Sequence, residues 1–382
     1  MGPIMQETVY SNARIVLADE VVVGSLVVRD GLIADIGTSS RLGEDMEGDL
    51  ILPGLIELHT DQLENHFSPR PGVRWNALAA VQAHDAQVAA SGITTVFDAI
   101  RVGTDEQTEE FHQDMRGLAD AVGAAMDDER LRAEHFIHLR CEVSAPDCLA
   151  GFALFENCAR VKLASLMDHA PGQRQFTKLE AYEFYYKTVR GLTDAAYRVY
   201  FDRRLAESQT YSAANRAAVS AHCLRHGITL ASHDDATDAH VEDAIAAGVK
   251  VAEFPTTVLA AQASHEAGMA VLMGAPNIVR GGSHSGNVAA GELARAGLLD
   301  VLSSDYVPFS LMQAIFVLSE DEESGIDLPQ AVKMVSARPA EAAGLDDRGT
   351  IAQGKRADLV RVALKSAVPI VRAGWRQGRR VI

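Results

Sequence analysis

The strongest constraint on the fold is an alternation that runs through the middle of the chain. Eight short, nearly all-apolar runs are separated by Ala-rich stretches with polar residues at helical spacing. The runs are LILPGLIEL, ITTVFDAI, HFIHLRCEV, RVKLASLM, ITLASH, VKVAEFP, AVLMGAP and LLDVLSSD; NALAAVQAHDAQVAAS and DATDAHVEDAIAAG are typical of what lies between. Strands that lack apolar–polar alternation are covered on both faces, as in parallel sheets. Eight of them, each followed by a helix, predict a parallel (β/α)8 TIM-like barrel.

The two ends of the chain have a different texture. VYSNARIVLADEVVVGSLVVRDGLIADIG (9–37) is a series of β-branched runs broken by tight-turn residues, and GTIAQGKRADLVRVALKSAVPIVRAGWRQGRRVI at the end resembles it. Barrel termini lie close together, so residues 1–50 and 346–382 are expected to form one small β-sandwich domain beside a barrel of residues 51–345. A chain of 382 residues, 47% apolar and 23% charged, is long enough for both.

Bulk properties exclude several partners. A formal charge of −17 with no basic stripe argues against nucleic acid, though a few arginines in one pocket can still hold a phosphate. No apolar run approaches the ~18 residues of a membrane span. The opening MGPIMQETVY lacks a basic n-region and an apolar h-region. The cysteines Cys141, Cys148, Cys158 and Cys223 have no C-x-x-C spacing, which suits reduced thiols in a cytoplasmic protein. A homo-oligomer is the expected assembly.

Ionisable residues gather where the apolar runs end: His59 and Asp61, Asp98, Glu142, Asp168 with His169, His233 with Asp234, Glu253, and Asp305. In barrels of this kind the C-terminal ends of the strands carry the chemistry. His59 and Asp61 in ELHTDQLENHF are two apart, so both face the lumen and can grip one divalent cation. The competing reading is a buried hydrogen-bonded pair. Glu142 is placed to bridge two ions, or to pair with Arg140. His169 and His233 together would complete the second ion's ligands, although either alone could be a satisfied core or loop histidine. Asp305, in LSSDY, could touch an ion and also take a proton from water as general base, where an N-cap is the plainer role. Mixed imidazole and carboxylate ligation suits zinc first, with manganese or iron admissible.

The loops point to an anionic substrate. His66 shares NHFSPRPGVRW with Arg70 and Arg74, and Arg174 follows DHAPGQ. Arg280 leads into Gly281, Gly282, Ser283, His284 and Ser285, a glycine-rich loop whose amides and hydroxyls suit phosphate oxygens. It lacks the spacing of a nucleoside-triphosphate P-loop. A flexible turn is the plainer reading.

Together, LPGLIELHTD, the strand-end glutamate, the later histidines, SSD and SARPAEAAGLDDRGTIAQGKRADLVRV resemble the amidohydrolase superfamily of metal-dependent hydrolases. The narrower stretches HTDQLENHFSPRPGVRW, SLMDHAPGQRQF, ASHDDAT, AEFPTT and MGAPNIVRGGSHSGNV are similar to a branch of it in phosphonate metabolism, the diphosphatases of the carbon–phosphorus lyase pathway that act on a ribose 1-methylphosphonate 5-triphosphate. The resemblance implies hydrolysis of a phosphoanhydride to the 5-phosphate and pyrophosphate by two divalent metal ions. It implies His59 and Asp61 on one ion, His233 on the other, Glu142 between them and Asp305 as acid/base. The superfamily draws its two later histidines from strands five and six, whereas His169 ends strand four and strand six ends in Glu253, which makes Glu253 the alternative ligand. A deacylase or deaminase acting on a C–N bond is the alternative chemistry.

Overall fold

The computed structural model describes residues 7–39, 41–103, 109–176, 179–189, 191–283, 286–365 and 368–382. Its centre is a parallel sheet of eight strands in sequence order: β6 (Leu55–Thr60), β7 (Ile93–Val102), β8 (Glu134–Glu142), β9 (Val161–Met167), β10 (Thr229–His233), β11 (Val251–Glu253), β12 (Ala270–Gly274) and β13 (Val301–Ser303). All eight apolar runs supply one of these strands. The seam between β13 and β6 is closed by a parallel bridge from Thr60 to Asp305, with the Asp305 amide donating to the His59 carbonyl (3.1 Å) and the Asp61 amide to the Asp305 carbonyl (3.2 Å). The barrel expected from the sequence is therefore observed.

The chain ends build a second sheet. β1 (Glu7–Val16), β2 (Val21–Arg29), β3 (Leu32–Gly37), β4 (Glu44–Asp45) and β5 (Leu50–Pro53) join β14 (Leu359–Lys365), β15 (Val368–Arg376) and β16 (Arg379–Arg380) in the order β16-β15-β14-β5-β1-β2-β3, with β4 on β1. The run LILPGLIEL thus serves two sheets. LILP pairs antiparallel with β14, and LIEL starts the barrel after Gly54, where a side chain would collide with Thr94. A continuous apolar run carries no mark of such a division.

Inside the barrel a period of two stacks apolar beneath polar side chains. Leu163 precedes Ser165, Ala231 precedes His233, Val251 precedes Glu253, and Val301 precedes Ser303 and then Asp305. The apolar members pack with Phe97 and Leu272 into a dry floor. Below it, Arg348 reaches Thr95 (3.0 Å) and Glu134 (2.7 Å), and Arg356 also binds Glu134 (2.6 Å). These bonds fasten the segment leading to β14 at the N-terminal ends of the strands and leave the opposite rim clear.

Two strand-end carboxylates face outward. Asp168 accepts from Ser208 (3.2 Å) and Ser212 (2.7 Å) of helix Asp194–His226. Asp98 is fully buried between His84 of helix Ala77–Ala90 (2.7 Å) and His135 of β8 (2.8 Å), and His135 also approaches Asp85 (3.4 Å). Those first two separations are hydrogen-bond lengths, so protons hold this cluster together. Burial alone would strip the proton from His135, but Asp98 and Asp85 outweigh it and hold the imidazole up to about 9. Burial also opposes ionisation of Asp98, yet His135 and His84 bring its carboxyl well below the usual range.

Asp98→Asn should therefore cost about 3–5 kcal/mol in denaturant unfolding at neutral pH, because it removes the nearer of the two carboxylates that balance the buried His135 cation. The difference from wild type should be fullest between about pH 4 and 6.5, shrink as the pH rises through about 9 where His135 deprotonates, and shrink again in acid as Asp98 is protonated.

Candidate metal centre

The polar layer at the C-terminal rim brings together residues that are up to 246 positions apart, from His59 to Asp305. Three strands end there in left-handed backbone: Asp234 (φ +57°), Phe254 (+54°) and Asp305 (+53°). Aspartate tolerates this region, whereas a bulky residue such as Phe254 is strained by about 1–3 kcal/mol. The Phe254 ring there makes T-shaped contacts with His59 (5.1 Å) and His233 (5.3 Å).

Carboxylates set the orientation of the imidazoles. His169 Nδ1 lies 2.7 Å from Glu142 Oε2, and His233 Nδ1 lies 3.1 Å from Glu253 Oε2. His59 Nδ1 is 3.2 Å from Glu253 Oε1, near enough for an ion pair though not aligned as a hydrogen bond. Ser165 adds a 2.6 Å bond to Glu253, and buried Arg204 approaches Glu142 (3.5 Å). With each Nδ1 so engaged, each Nε2 faces a carboxylate across the rim. Asp234 Oδ2 stands 3.4 Å from His233 Nε2 and 3.6 Å from His169 Nε2. A tetrahedral ion with bonds of about 2.1 Å has ligand-to-ligand edges of about 3.4 Å. The His169, His233 and Asp234 set therefore fits a divalent cation. A second set, His59, Asp61 and Asp305, also has its ligand atoms within 4.8 Å of one another, with His59 Nε2 3.7 Å from Asp61 Oδ1.

Several positions differ from the sequence expectation. The Glu142 carboxylate, expected between two ions, accepts from the backbone amide of His169 (3.0 Å) and from Ser144 and lies against the His169 ring. Glu253 lies beneath two imidazoles, and Asp234 takes the outward position. His138, fully buried one layer down, was overlooked in the sequence. Its Nδ1 is on the Leu58 carbonyl (2.9 Å), its Nε2 is on Ser165, and burial drives it down to about 3, so it stays neutral.

Glu57 is a further stitch that sequence reasoning missed. It accepts from the His59 amide (2.6 Å), Ser303 Oγ (2.6 Å) and the Ser304 amide (2.5 Å), joining the strands that carry His59 and Asp305. Burial raises the Asp305 carboxyl, against the pull of His59.

Above the rim a cavity of about 310 Å³ opens, lined among others by His59, His233, Asp305, Arg140 and Arg280. Ser283 lines it too, while Gly281 (φ +77°) ends helix Ala275–Arg280 and Gly282 follows it; His284 and Ser285 lie outside the described residues. The other expected substrate contacts are elsewhere. His66 bonds Gln87 (2.9 Å), Arg74 pairs with Asp114 (2.7 Å), Arg70 is exposed in the same loop, and buried Arg174 pairs with Asp235. Gln175, Asn277 and Tyr306 line the cavity instead.

Comparison with known proteins identifies the family. A family model described as "Amidohydrolase family" matches residues 76–382. The chain belongs to the amidohydrolase family. It is 49% identical to the Alpha-D-ribose 1-methylphosphonate 5-triphosphate diphosphatase of Escherichia coli (strain K12), over 98% of this chain and 100% of that one. Among solved structures it resembles N-acetyl-D-glucosamine-6-phosphate deacetylase from Mycobacterium smegmatis (TM-score 0.63, 16% identity, 99% of this chain and 100% of that one). It also resembles 5-methylcytosine deaminase from Klebsiella pneumoniae (TM-score 0.60, 14% identity, 98% and 97%). At such identities these two establish the fold. No helix among the described residues is long and apolar enough to cross a membrane.

Glu253→Ala should leave His59 and His233 free to turn, and should weaken cation binding about 10–100-fold in equilibrium dialysis without unfolding the barrel. Unchanged affinity would remove Glu253 from the orienting role.

Proposed function

We propose that this amidohydrolase is a metal-dependent diphosphatase. It hydrolyses a phosphoanhydride in the 5-triphosphate of a ribose 1-methylphosphonate, releasing pyrophosphate and leaving the 5-phosphate. The observation that carries this reading is the 49% identity over nearly the whole chain to a relative with that activity in its name. The cavity chemistry supports it: guanidinium groups of Arg140 and Arg280 beside neutral Asn277 and Ser283 suit a polyanion better than an amide.

His169, His233 and Asp234 would hold one divalent ion and His59, Asp61 and Asp305 another, with Glu142 and Glu253 orienting the imidazoles. Zinc is the proposed ion, and the mixed ligand set also admits manganese or iron. Such ions, when bound, supply Lewis acidity that makes water a nucleophile near neutral pH and neutralises phosphate charge. Asp305 would accept the attacking water's proton at its carboxylate. Arg280, with Ser283 and the glycine loop of Gly281 and Gly282, would clamp the departing pyrophosphate, and the dry floor beneath the imidazoles keeps bulk water from below.

Asp305→Asn should lower kcat by about 10²–10⁴-fold; turnover within tenfold of wild type would show that another group takes the proton. Product analysis on the triphosphate substrate, beside a panel of N-acyl sugars and aminopyrimidines, should give pyrophosphate and no ammonia or acetate. The opposite pattern would support C–N bond chemistry, which the fold also serves in its deacetylase and deaminase neighbours.

A further inference from the structure

The two candidate ion sites are not equally free. Asp234 looks across to the imidazoles of His169 and His233. Asp61 is already engaged by a cation belonging to the protein: Arg140 Nη1 lies 2.7 Å from both of its carboxylate oxygens. Arg140 comes from β8, two residues before Glu142, and the period of two aims it into the lumen. A metal ion bound to Asp61 at about 2.0–2.2 Å would use the same lone pairs and would sit close to the guanidinium charge.

The guanidinium is not saturated where it stands. Its Nε is buried without a hydrogen-bond partner, and the side chain is 16% exposed on the wall of the cavity that holds Asp305 and Arg280. A phosphate in that cavity offers Arg140 a planar two-oxygen partner of higher charge than Asp61. Once the guanidinium turns to it, Asp61 and Asp305 face each other with His59 and without a counter-cation.

We propose, resting on the metal-hydrolase reading above, that Arg140 and a divalent cation compete for the Asp61 carboxylate, so that the ion at His59, Asp61 and Asp305 binds together with a phosphate group that draws the guanidinium away. The ion at His169, His233 and Asp234 is then resident, and the second is recruited by the substrate. By thermodynamic linkage, phosphate tightens the second ion by the same factor as that ion tightens phosphate.

The test is Mn²⁺ binding to the metal-stripped full chain by equilibrium dialysis, with and without inorganic phosphate, which chelates the ion only weakly. Wild type should bind one Mn²⁺ tightly and a second more weakly by about tenfold or more, and phosphate should close that gap. Arg140→Met should bind two ions without phosphate and lose the response to it, while Asp61→Asn should bind one ion under both conditions. Circular dichroism melts confirm that each variant is folded, and the Asp61→Asn result stands by itself should Arg140→Met fail to fold. Two ions of equal affinity in phosphate-free wild type, or an Arg140→Met curve identical to wild type, would overturn the proposal and leave the hydrolase reading intact. Absence of Mn²⁺ binding in every form would overturn both.

Discussion

Two carboxylates behind the imidazoles, the buried Glu253 and the half-buried Glu142, hold the rim in order. Removing an ionised carboxylate from water costs several kcal/mol unless its oxygens find charged or hydrogen-bonding partners. Glu253 finds them in His59, His233 and Ser165, and Glu142 in His169, Ser144 and Arg204. Each imidazole has a carboxylate on its Nδ1 side, at hydrogen-bond length for His169 and His233 and at ion-pair distance for His59, with Nε2 turned toward the rim. The three Nε2 atoms and the carboxylates of Asp61, Asp234 and Asp305 then enclose a space that suits cations. Metal affinity in this account is set as much by the layer below as by the ligands themselves.

The barrel separates stability from chemistry along its axis. Leu163, Ala231, Val251, Leu272 and Val301 fill the floor, while Arg348 and Arg356 bind the terminal sheet to Glu134 at the N-terminal ends. The seam between the last and first strands is the exception, because there the fastening and the site coincide. Glu57 and the backbone bonds between His59, Asp61 and Asp305 close the cylinder with the same residues that form one of the candidate ion sites.

How much of this was legible in the sequence follows from which physical signals a linear pattern carries. The eight strands were, because burial on both faces writes itself as uninterrupted apolar runs. The same property hid the facing of individual residues: in ITTVFDAI nothing marks Phe97 as inward and Asp98 as outward, so Asp98 read as a rim residue. His59 and Asp61 do come within 3.7 Å of each other, but not by strand spacing: β6 ends at Thr60, and Asp61 sits at the N-cap of the helix that follows. Which of Asp234 and Glu253 points outward could not be read, since that depends on where each strand stops and on the left-handed turn after it. The loop arginines divided for a similar reason. Arg280 ends a short helix that follows β12 and lines the cavity, whereas Arg74 and Arg174 found acidic partners from segments distant in sequence.

The most direct test of the account is a crystal structure grown with Mn²⁺ and read from its anomalous scattering. The account predicts a peak about 2.1 Å from His169 Nε2, His233 Nε2 and an oxygen of Asp234, with Glu142 and Glu253 still on the far side of the rings. A peak centred on Glu253 or Glu142, or rings turned so that Nδ1 faces the ion, would contradict it.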